Sequence, residues 1–284
     1  MTVWTTRRFL KAAGLIAVGL VLVACGKKEE AAAPAASAAA ASAPPPPAKV
    51  YAVGTDAAYA PFESQNEKGE IVGFSVDVLT AVAAKAGIEI KFVNTPWEGI
   101  FNSLAQGDRD LLISSITITD ERKQTMDFSD AYFDAEQLIA VKETSKVAKF
   151  SDLKKLKVGV QTGTTGDEVV TKLLGKTSTN VKRYESTPLA LKELQSGGVD
   201  AVVADNGVVI HYVANNPNDK FKTVADKTSF APEQYGIAVK KGNAELLAKL
   251  NQGLAAIKAD GTYDKIYTAT FGMAPAAPAA AASK

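Results

Sequence analysis

Residues Asp110–Arg122 read DLLISSITITDER, so polar side chains directly follow a short apolar run. The apolar residues Leu111–Ile113 predict a strand that is covered on both faces, as in a parallel sheet. The serines and threonines that come next predict the end of this strand and the start of a helix at Thr119, a good N-cap residue. Arg122 then falls in the first helical turn, where a cation is disfavoured by about 0.3–1 kcal/mol unless an anion lies nearby.

Two interpretations explain the position of Arg122. In the first, the hydroxyl-rich strand end and the arginine together form a binding site for a carboxylate. In the second, Arg122 pairs on the surface with Asp120, Glu121 or Asp127. The stretch by itself leaves both interpretations open.

The composition excludes several classes of function. A chain of 284 residues with 46% hydrophobic and 22% charged residues suits one or two globular domains. The net charge of +1, without a basic block that contains aromatics, argues against a nucleic-acid partner. The chain has one cysteine, Cys25, and one histidine, His211, so no intrachain disulfide and no metal site built on cysteine or histidine clusters is expected. We also expect no cofactor.

The first residues predict a targeting segment rather than part of the fold. A basic region that contains Arg7 and Arg8 precedes the uncharged apolar segment Ala12–Ala24, which is typical of a signal peptide. The end of this segment, Leu22–Cys25, resembles the lipobox of bacterial lipoproteins, which implies cleavage before Cys25 and attachment of a lipid to its sulfur. The alternative is an ordinary signal peptide. We predict a signal peptide over 1–24 and, over 25–48, an Ala/Pro linker tethered to a membrane.

Strand and helix patterns alternate between the linker and the C-terminal tail, which predicts an α/β fold. The segments Glu136–Lys142 and Glu233–Lys240 are similar in sequence and strand-like, and a complete second α/β alternation lies between them. Helical spacing covers Phe74–Ala86 in the first half, and Ala244–Ala259 and Thr262–Phe271 follow the second strand-like segment. This order predicts two lobes, each a parallel-type sheet flanked by helices, joined by two hinge strands.

The predicted boundaries follow from this order. The first lobe covers 49–138 and 237–272, the second lobe covers 139–236, and 273–284 form a disordered tail. A body of this kind opens and closes about its hinge and holds a ligand between the lobes.

Polar and charged side chains follow the ends of several predicted strands. These groups are Asp56, the stretch from Ser114 to Arg122, the loop Gln161–Gly166, and Asp205. Ligands of open α/β sheets bind beyond the carboxyl ends of the strands. One cation, two carboxylates and many hydroxyl and amide groups complement a zwitterion better than a phosphate. Asp205 has an alternative role, as the N-cap of a helix that begins at Asn206.

Several ordered motifs between Lys49 and Gly272 resemble the bacterial family 3 solute-binding proteins, the polar amino-acid receptors of ABC importers. The motifs are Gly54–Asp56, Pro61–Glu63, Gly73–Asp77, Ser115–Arg122, Asp127–Asp130, Gln234–Ala238 and Gly261–Tyr263. The resemblance implies the two-lobed fold of periplasmic binding proteins. It also implies that the protein delivers an L-amino acid to a membrane permease.

The resemblance further implies a role for individual residues. Arg122 would bind the ligand α-carboxylate in bidentate fashion, together with Thr117 and backbone amides nearby. Asp205 would receive the α-ammonium group with the carbonyl of Ser115, and Asp56 would reach the far end of the ligand side chain. The complete predicted ligand-binding set is Asp56, Tyr59, Trp97, Ser114, Ser115, Thr117, Arg122, Gln161, Thr164, Thr165 and Asp205.

The ligand class is predicted from Asp56 and the aromatic residues Tyr59 and Trp97. A carboxylate with aromatic faces accommodates a cationic side chain through charge pairing and cation–π contacts, which favours arginine or lysine. Glutamine-binding members also carry an aspartate at this position, so glutamine or another polar amino acid remains an alternative. A dehydratase of the cyclohexadienyl type shares the fold, but the sequence offers no additional acid–base residue. We therefore expect a binding protein and not an enzyme, monomeric and lipid-anchored in the periplasm.

Overall fold

The computed structural model describes residues 49–275 of the chain. The predicted signal peptide, Cys25, the linker and residues 276–284 of the predicted tail lie outside the described residues. No helix between residues 49 and 275 combines the length and the apolar character needed to cross a bilayer.

The chain forms its elements in three successive segments. The first segment contains β1 (Val50–Thr55), β2 (Ala58–Tyr59), β3 (Glu63–Gln65), β4 (Ile71–Val72), α1 (Phe74–Ala86), β5 (Glu89–Asn94), α2 (Trp97–Gln106), β6 (Leu111–Leu112), α3 (Arg122–Thr125), β7 (Met126–Phe128) and β8 (Phe133–Ala135). The second contains β9 (Gln137–Lys142), β10 (Val158–Gln161), α4 (Thr165–Leu174), β11 (Val181–Tyr184), α5 (Thr187–Ser196), β12 (Ala201–Asp205), α6 (Asn206–Asn215) and β13 (Phe221–Val224). The third contains β14 (Glu233–Tyr235), β15 (Ala238–Lys240), α7 (Ala244–Ala259) and α8 (Thr262–Phe271).

Two separate sheets confirm the predicted two-lobed α/β fold. The sheet of the first lobe has the strand order β5-β1-β6-β15-β7, and that of the second lobe has the order β11-β10-β12-β9-β13. In each sheet the first three strands in this order are parallel, whereas the remaining strands run antiparallel to their neighbours. The parallel strands are joined by helices, and their carboxyl ends in the two lobes border the same cleft.

The chain crosses between the lobes through a pair of antiparallel strands, as predicted, but at a slightly earlier position. Strands β8 and β14 pair with each other, with Phe133 opposite Tyr235 and Ala135 opposite Glu233. The two similar segments do not pair along their whole length. Strand β9, in the first segment, belongs to the second sheet, and β15, at the end of the second segment, belongs to the first sheet. Their sequences are similar because each is a buried strand that directly follows a crossing.

Each lobe has its own apolar core. In the first lobe an aromatic cluster connects Phe62 on the loop after β2, Phe74 on α1 and Phe133 on β8, and the ring centroids of Phe62 and Phe133 lie 4.8 Å apart. Helix α7 packs closely on α1, because a Cβ atom at Gly253 would lie 2.5 Å from the carbonyl oxygen of Val82. In the second lobe, buried apolar side chains cover both faces of the sheet.

Candidate functional site

The described residues contain a cavity between the lobes, at the carboxyl ends of β1, β6, β10 and β12. Its volume is about 340 Å³ when the opening to solvent is included. Eleven side chains line it: Asp56, Tyr59, Trp97, Ser114, Ser115, Thr117, Arg122, Gln161, Thr164, Thr165 and Asp205. The structure therefore brings together every residue of the predicted ligand-binding set.

Arg122 enters the cavity from a single helical turn. Helix α3 begins at Arg122 and not at Thr119, but Thr119 does make the predicted capping contact, because its hydroxyl accepts a hydrogen bond of 3.2 Å from the Arg122 amide three residues on. A residue order of Ser, Thr, Asp and Glu favours a cap, but the chain forms a turn here before the helix. Helix α3 has only four residues, so its dipole is too small to explain the position of Arg122. The contacts of the guanidinium group indicate its role instead.

The guanidinium group of Arg122 is held by aromatic rings and carbonyl oxygens. Its central carbon lies 5.5 Å from the ring of Trp97 and 5.3 Å from the ring of Phe101. It donates 2.9 Å to the carbonyl of Thr117 and 3.4 Å, across the cleft, to the carbonyl of Gly163. Burial lowers the pKa of Arg122, which means that the charge is partly desolvated.

The surface ion pair offered as an alternative for Arg122 is wrong. Asp120 pairs with Lys123, and Asp127 pairs with Lys241. Within residues 49–275, Arg122 forms no ion pair with any carboxylate side chain. A half-buried cation in a cavity, supported by neutral groups, is a receptor for an anion.

Asp205 occupies the N-cap position of α6, but its side chain makes no capping hydrogen bond. The carboxylate instead accepts hydrogen bonds from the hydroxyls of Tyr59, at 2.9 Å, and Tyr235, and from the side-chain amide of Gln137. Burial, and next the negative charge of Glu233, raise the pKa of Asp205 to about 6. The structure thus excludes the capping alternative and places a buried carboxylate on the second lobe, opposite Arg122.

Thr117 and Ser115 line the cavity just after the end of β6. The Thr117 hydroxyl donates 2.7 Å to Glu233. Thr117 also lies opposite Tyr235 in an isolated bridge whose hydrogen bonds come from the flanking amides of Ile118 and Gly236, so its own amide is not used by that bridge. Ser115 has a φ of 49°, a left-handed conformation that costs a non-glycine residue of order 1–3 kcal/mol and is concentrated at functional sites.

Asp56 and Gln161 meet across the cleft at the outer part of the cavity. The amide of Asp56 donates 2.9 Å to the Ser114 hydroxyl, and its carboxylate accepts 3.4 Å from Gln161 Nε2. Burial raises the pKa of Asp56. Gln161 is oriented by the Thr187 hydroxyl, which donates 3.1 Å to Gln161 Oε1. This carboxylate sits where a cationic group on a ligand would relieve its desolvation.

Helix α4 supplies amide groups at the third side of the cavity. Thr164 is its N-cap, and the Thr164 hydroxyl accepts 3.2 Å from the amide of Asp167. The helix begins at Thr165, within the segment Gln161–Gly166 that was predicted as a loop. Because the positive end of a helix dipole and its free amides favour anions, the start of α4 complements Arg122 as part of an anion site.

Sequence reasoning did not identify Gln137, Glu233 and Glu63, although all three contribute to the site or its surroundings. Gln137 and Glu233 stand at the starts of the two similar segments, where a polar residue precedes an apolar strand. That position was a usable signal. Glu63 is fully buried, and its sequence neighbours do not distinguish it from a surface residue.

Glu63 lies close to Ser75, Ser115 and Tyr132 in the core of the first lobe. Both of its carboxyl oxygens are buried without a hydrogen-bond partner among the described residues. Burial is the largest cause that raises the pKa of Glu63 from 4.5 to about 8, while contacts with Ser75 and Ser115 lower it and the nearby Asp56 and Asp205 raise it further. Glu63 is therefore a neutral acid in the folded protein at neutral pH.

Glu63→Gln is expected to remove a pH dependence of stability. Because the folded-state pKa of Glu63 is raised, unfolding releases its proton between pH 4.5 and about 8. The free energy of unfolding should then fall by about 1.4 kcal/mol per pH unit over that window. Glutamine does not ionise, so denaturant titrations of ligand-stripped protein at pH 6.5 and 8 should give a smaller decrease for Glu63→Gln. An equal decrease in the free energy of unfolding in both proteins would show that Glu63 is not protonated in the folded protein.

The fold and the cavity agree with the comparisons with known proteins. Residues 51–273 match the family of bacterial extracellular solute-binding proteins, family 3. The chain belongs to this family. The match covers both lobes and all eleven residues that line the cavity.

Several relatives are named for basic amino acids, and another is named as an L-cystine-binding protein of Escherichia coli. A probable histidine-binding protein of Neisseria gonorrhoeae is 46% identical, over 92% of this chain and 94% of its own. The ABC transporter arginine-binding protein 1 of Escherichia coli K12 is 37% identical, over 75% of this chain and 87% of its own. The solved arginine-, lysine-, histidine-binding protein ArtJ of Geobacillus stearothermophilus is 48% identical with a TM-score of 0.78, and covers 80% of this chain and 97% of its own.

The residues that the structure describes contain no arrangement suited to a metal ion. Between residues 49 and 275 no group of three histidine, cysteine, aspartate or glutamate side chains is arranged to hold a metal ion. The polar groups of the cavity are an arginine, two carboxylates, hydroxyls and amides, which hydrogen-bond a small polar molecule directly.

Proposed function

We propose that this solute-binding protein captures a basic L-amino acid between its two lobes and delivers it to the permease of an ABC importer. The observation that supports the proposal is the placement of Arg122, on the first lobe, and Asp205, on the second lobe, on opposite sides of one cavity. An α-amino acid carries an anion and a cation on neighbouring carbons. It therefore neutralises both groups at once, and only when the lobes are closed.

The ligand carboxylate binds Arg122 and the free amides at Thr117 and at the start of α4. The α-ammonium group binds Asp205 and the carbonyl of Ser115, and displaces the Tyr59 hydroxyl from part of the Asp205 carboxylate. Each contact is stronger in the closed protein, and a ligand shifts a conformational equilibrium only through such differential contacts. Amino-acid binding therefore favours closure.

The ligand side chain extends toward Asp56 and is flanked by Tyr59 and Trp97. A basic side chain supplies the cation that the desolvated Asp56 carboxylate favours, which supports arginine, lysine or histidine over glutamine. The names of the histidine- and arginine-binding relatives support the same class, whereas the L-cystine-binding relative does not. The residues around the cavity serve binding, and we propose no catalytic role for them.

The proposed location is the periplasm. The family description supports a position outside the cytoplasm. The sequence at Cys25 supports a lipid anchor at the end of the Ala/Pro linker, with the folded body held near the membrane-bound permease. We further propose that the receptor is a monomer.

The amino-acid class is tested by a thermal-shift panel of the twenty L-amino acids on protein that was unfolded and refolded to remove bound ligand. A ligand at about 100 times its dissociation constant stabilises the fold by about 2.7 kcal/mol. We expect the largest shifts with arginine, lysine or histidine. If glutamine gives the largest shift, the proposed receptor function stands and the proposed class of basic ligands is wrong. A folded protein without any shift would overturn the receptor, and turnover of prephenate or arogenate would replace it with an enzyme.

A further inference from the structure

The carboxylate of Glu233 connects the two lobes at the base of the cavity. Its Oε2 atom accepts 2.7 Å from the hydroxyl of Thr117, in the first lobe, and 2.8 Å from the hydroxyl of Thr165, at the start of α4 in the second lobe. Glu233 itself lies on the crossing strand β14. One carboxylate oxygen thus holds a group from each lobe at the hinge.

The other oxygen of Glu233 is linked to Asp205 through Gln137. The side-chain nitrogen of Gln137, which is 2% exposed, donates 3.0 Å to Glu233 Oε1 and also donates to Asp205. An amide that donates to two carboxylates offsets part of their mutual repulsion. The geometry of Asp205, the proposed ammonium site, therefore depends on Glu233.

Glu233, Thr117 and Thr165 also form a wall between two spaces. Thr117 and Thr165 line the ligand cavity and, together with Glu233 and Lys123, a second and more open cleft of about 820 Å³ on the other side. The hydrogen bonds to Glu233 therefore lie between the ligand cavity and the second cleft.

We propose that Glu233 is a positioning residue that stabilises the closed lobes without contacting the ligand. When the lobes separate, Thr117 and Thr165 move with different lobes, so at least one of their hydrogen bonds to Glu233 breaks. Hydrogen bonds to a charged group are stronger than those between neutral groups. This inference rests on the proposed receptor function and adds the residue that sets how long any ligand stays bound.

Replacement of Glu233 by glutamine should accelerate ligand release. If the new NH₂ group replaces Oε1, it faces the Gln137 donor, and if it replaces Oε2, both threonine hydroxyls lose their acceptor. A weaker closed state lowers the affinity for every ligand by the same factor, since the loss lies in the protein and not in a ligand contact. We expect dissociation of arginine, lysine and histidine to be about tenfold faster, equal to about 1.4 kcal/mol, with nearly unchanged association.

The experiment measures dissociation constants and dissociation rates of the full chain for these three amino acids, with binding stoichiometry as the check on folding. Glu136→Gln is the matched control, because Glu136 holds the corresponding position in the other similar segment but accepts no hydrogen bond from either threonine and does not line the cavity. Asp56→Asn is the contrasting variant, since loss of a proposed ligand contact should change the ratios among the three amino acids.

Distinct outcomes separate the two proposals. Wild-type protein that binds none of the three amino acids contradicts the proposed ligand class. Wild-type binding with an unchanged dissociation rate in Glu233→Gln overturns the positioning role. Changed ratios among the amino acids in Glu233→Gln also overturn it, because they indicate contact with the ligand side chain. Equal acceleration for all three, absent in Glu136→Gln, supports it.

Discussion

Replacement of Arg122 by alanine is expected to reduce amino-acid affinity by about 2–5 kcal/mol, or roughly 30- to 4,000-fold. The reason is that the ligand carboxylate would enter a desolvated cavity without its cation. The rings of Trp97 and Phe101 and the carbonyls of Thr117 and Gly163 position the guanidinium but present no positive charge of their own. Isothermal titration of wild type and Arg122→Ala with the best ligand of the panel measures the difference.

Arg109→Ala is the matched control for this experiment. Arg109 lies on the same lobe and donates 3.0 Å to the Thr95 hydroxyl, but it does not line the cavity. It should keep wild-type affinity. Near-wild-type affinity in a folded Arg122→Ala protein would contradict the assignment of the carboxylate site. Arg122→Lys should recover part of the affinity, because it restores the charge but not the bidentate geometry.

Replacement of Asp205 by asparagine should cost about 1.5–3 kcal/mol of binding energy, the usual value for hydrogen bonds to charged groups. Asparagine keeps a hydrogen-bond acceptor but removes the negative charge that the α-ammonium group needs. Asp200→Asn is the control, because Asp200 precedes β12 at its other end and accepts from the Lys157 amide. Equal affinity of wild type and Asp205→Asn would place the ammonium site elsewhere.

The same residue should make ligand binding depend on pH. Asp205 has a pKa of about 6 in the protein, and a bound ammonium group favours its ionised form. Below pH 6, ligand binding must therefore release a proton, and the affinity should fall by up to tenfold per pH unit. In Asp205→Asn the dependence between pH 5 and 7 should be weaker, and Asp56, whose pKa is also raised by burial, remains as a titrating group of the cavity. Titrations at pH 5 and pH 7 of both proteins check the sign.

The elements that the sequence alone predicted are those with local signals. Helix α1 ends where predicted because Gly87 adopts a left-handed C-cap with a φ of 63°, and glycine reaches that conformation without a steric penalty. The bounds of α7 and α8 also match their apolar spacing. The order of strands and helices predicted the two-lobed α/β fold, and the polar residues at strand ends, together with the family resemblance, indicated the eleven residues that line the cavity.

Tertiary structure decided which interaction partners the side chains of Arg122 and Asp205 have. Arg122 has three acidic residues near it in sequence, yet their carboxylates turn to other cations or to solvent, and the guanidinium turns to Trp97 and Phe101. Asp205 stands at a helix N-cap, yet Tyr59, Tyr235 and Gln137 draw its carboxylate into the cavity. Local sequence offers both options in each case, and the choice depends on groups that are distant in the chain.

The hinge shows the same division between sequence and structure. The similar segments that begin at Glu136 and Glu233 are visible in the sequence, and they indicate that the chain crosses twice between lobes. Only the folded chain brings Thr117, Thr165 and Gln137 to the carboxylate of Glu233, from positions 116, 68 and 96 residues away. Contacts over such separations depend on how the two sheets close against each other, and sequence periodicity carries no information about that closure.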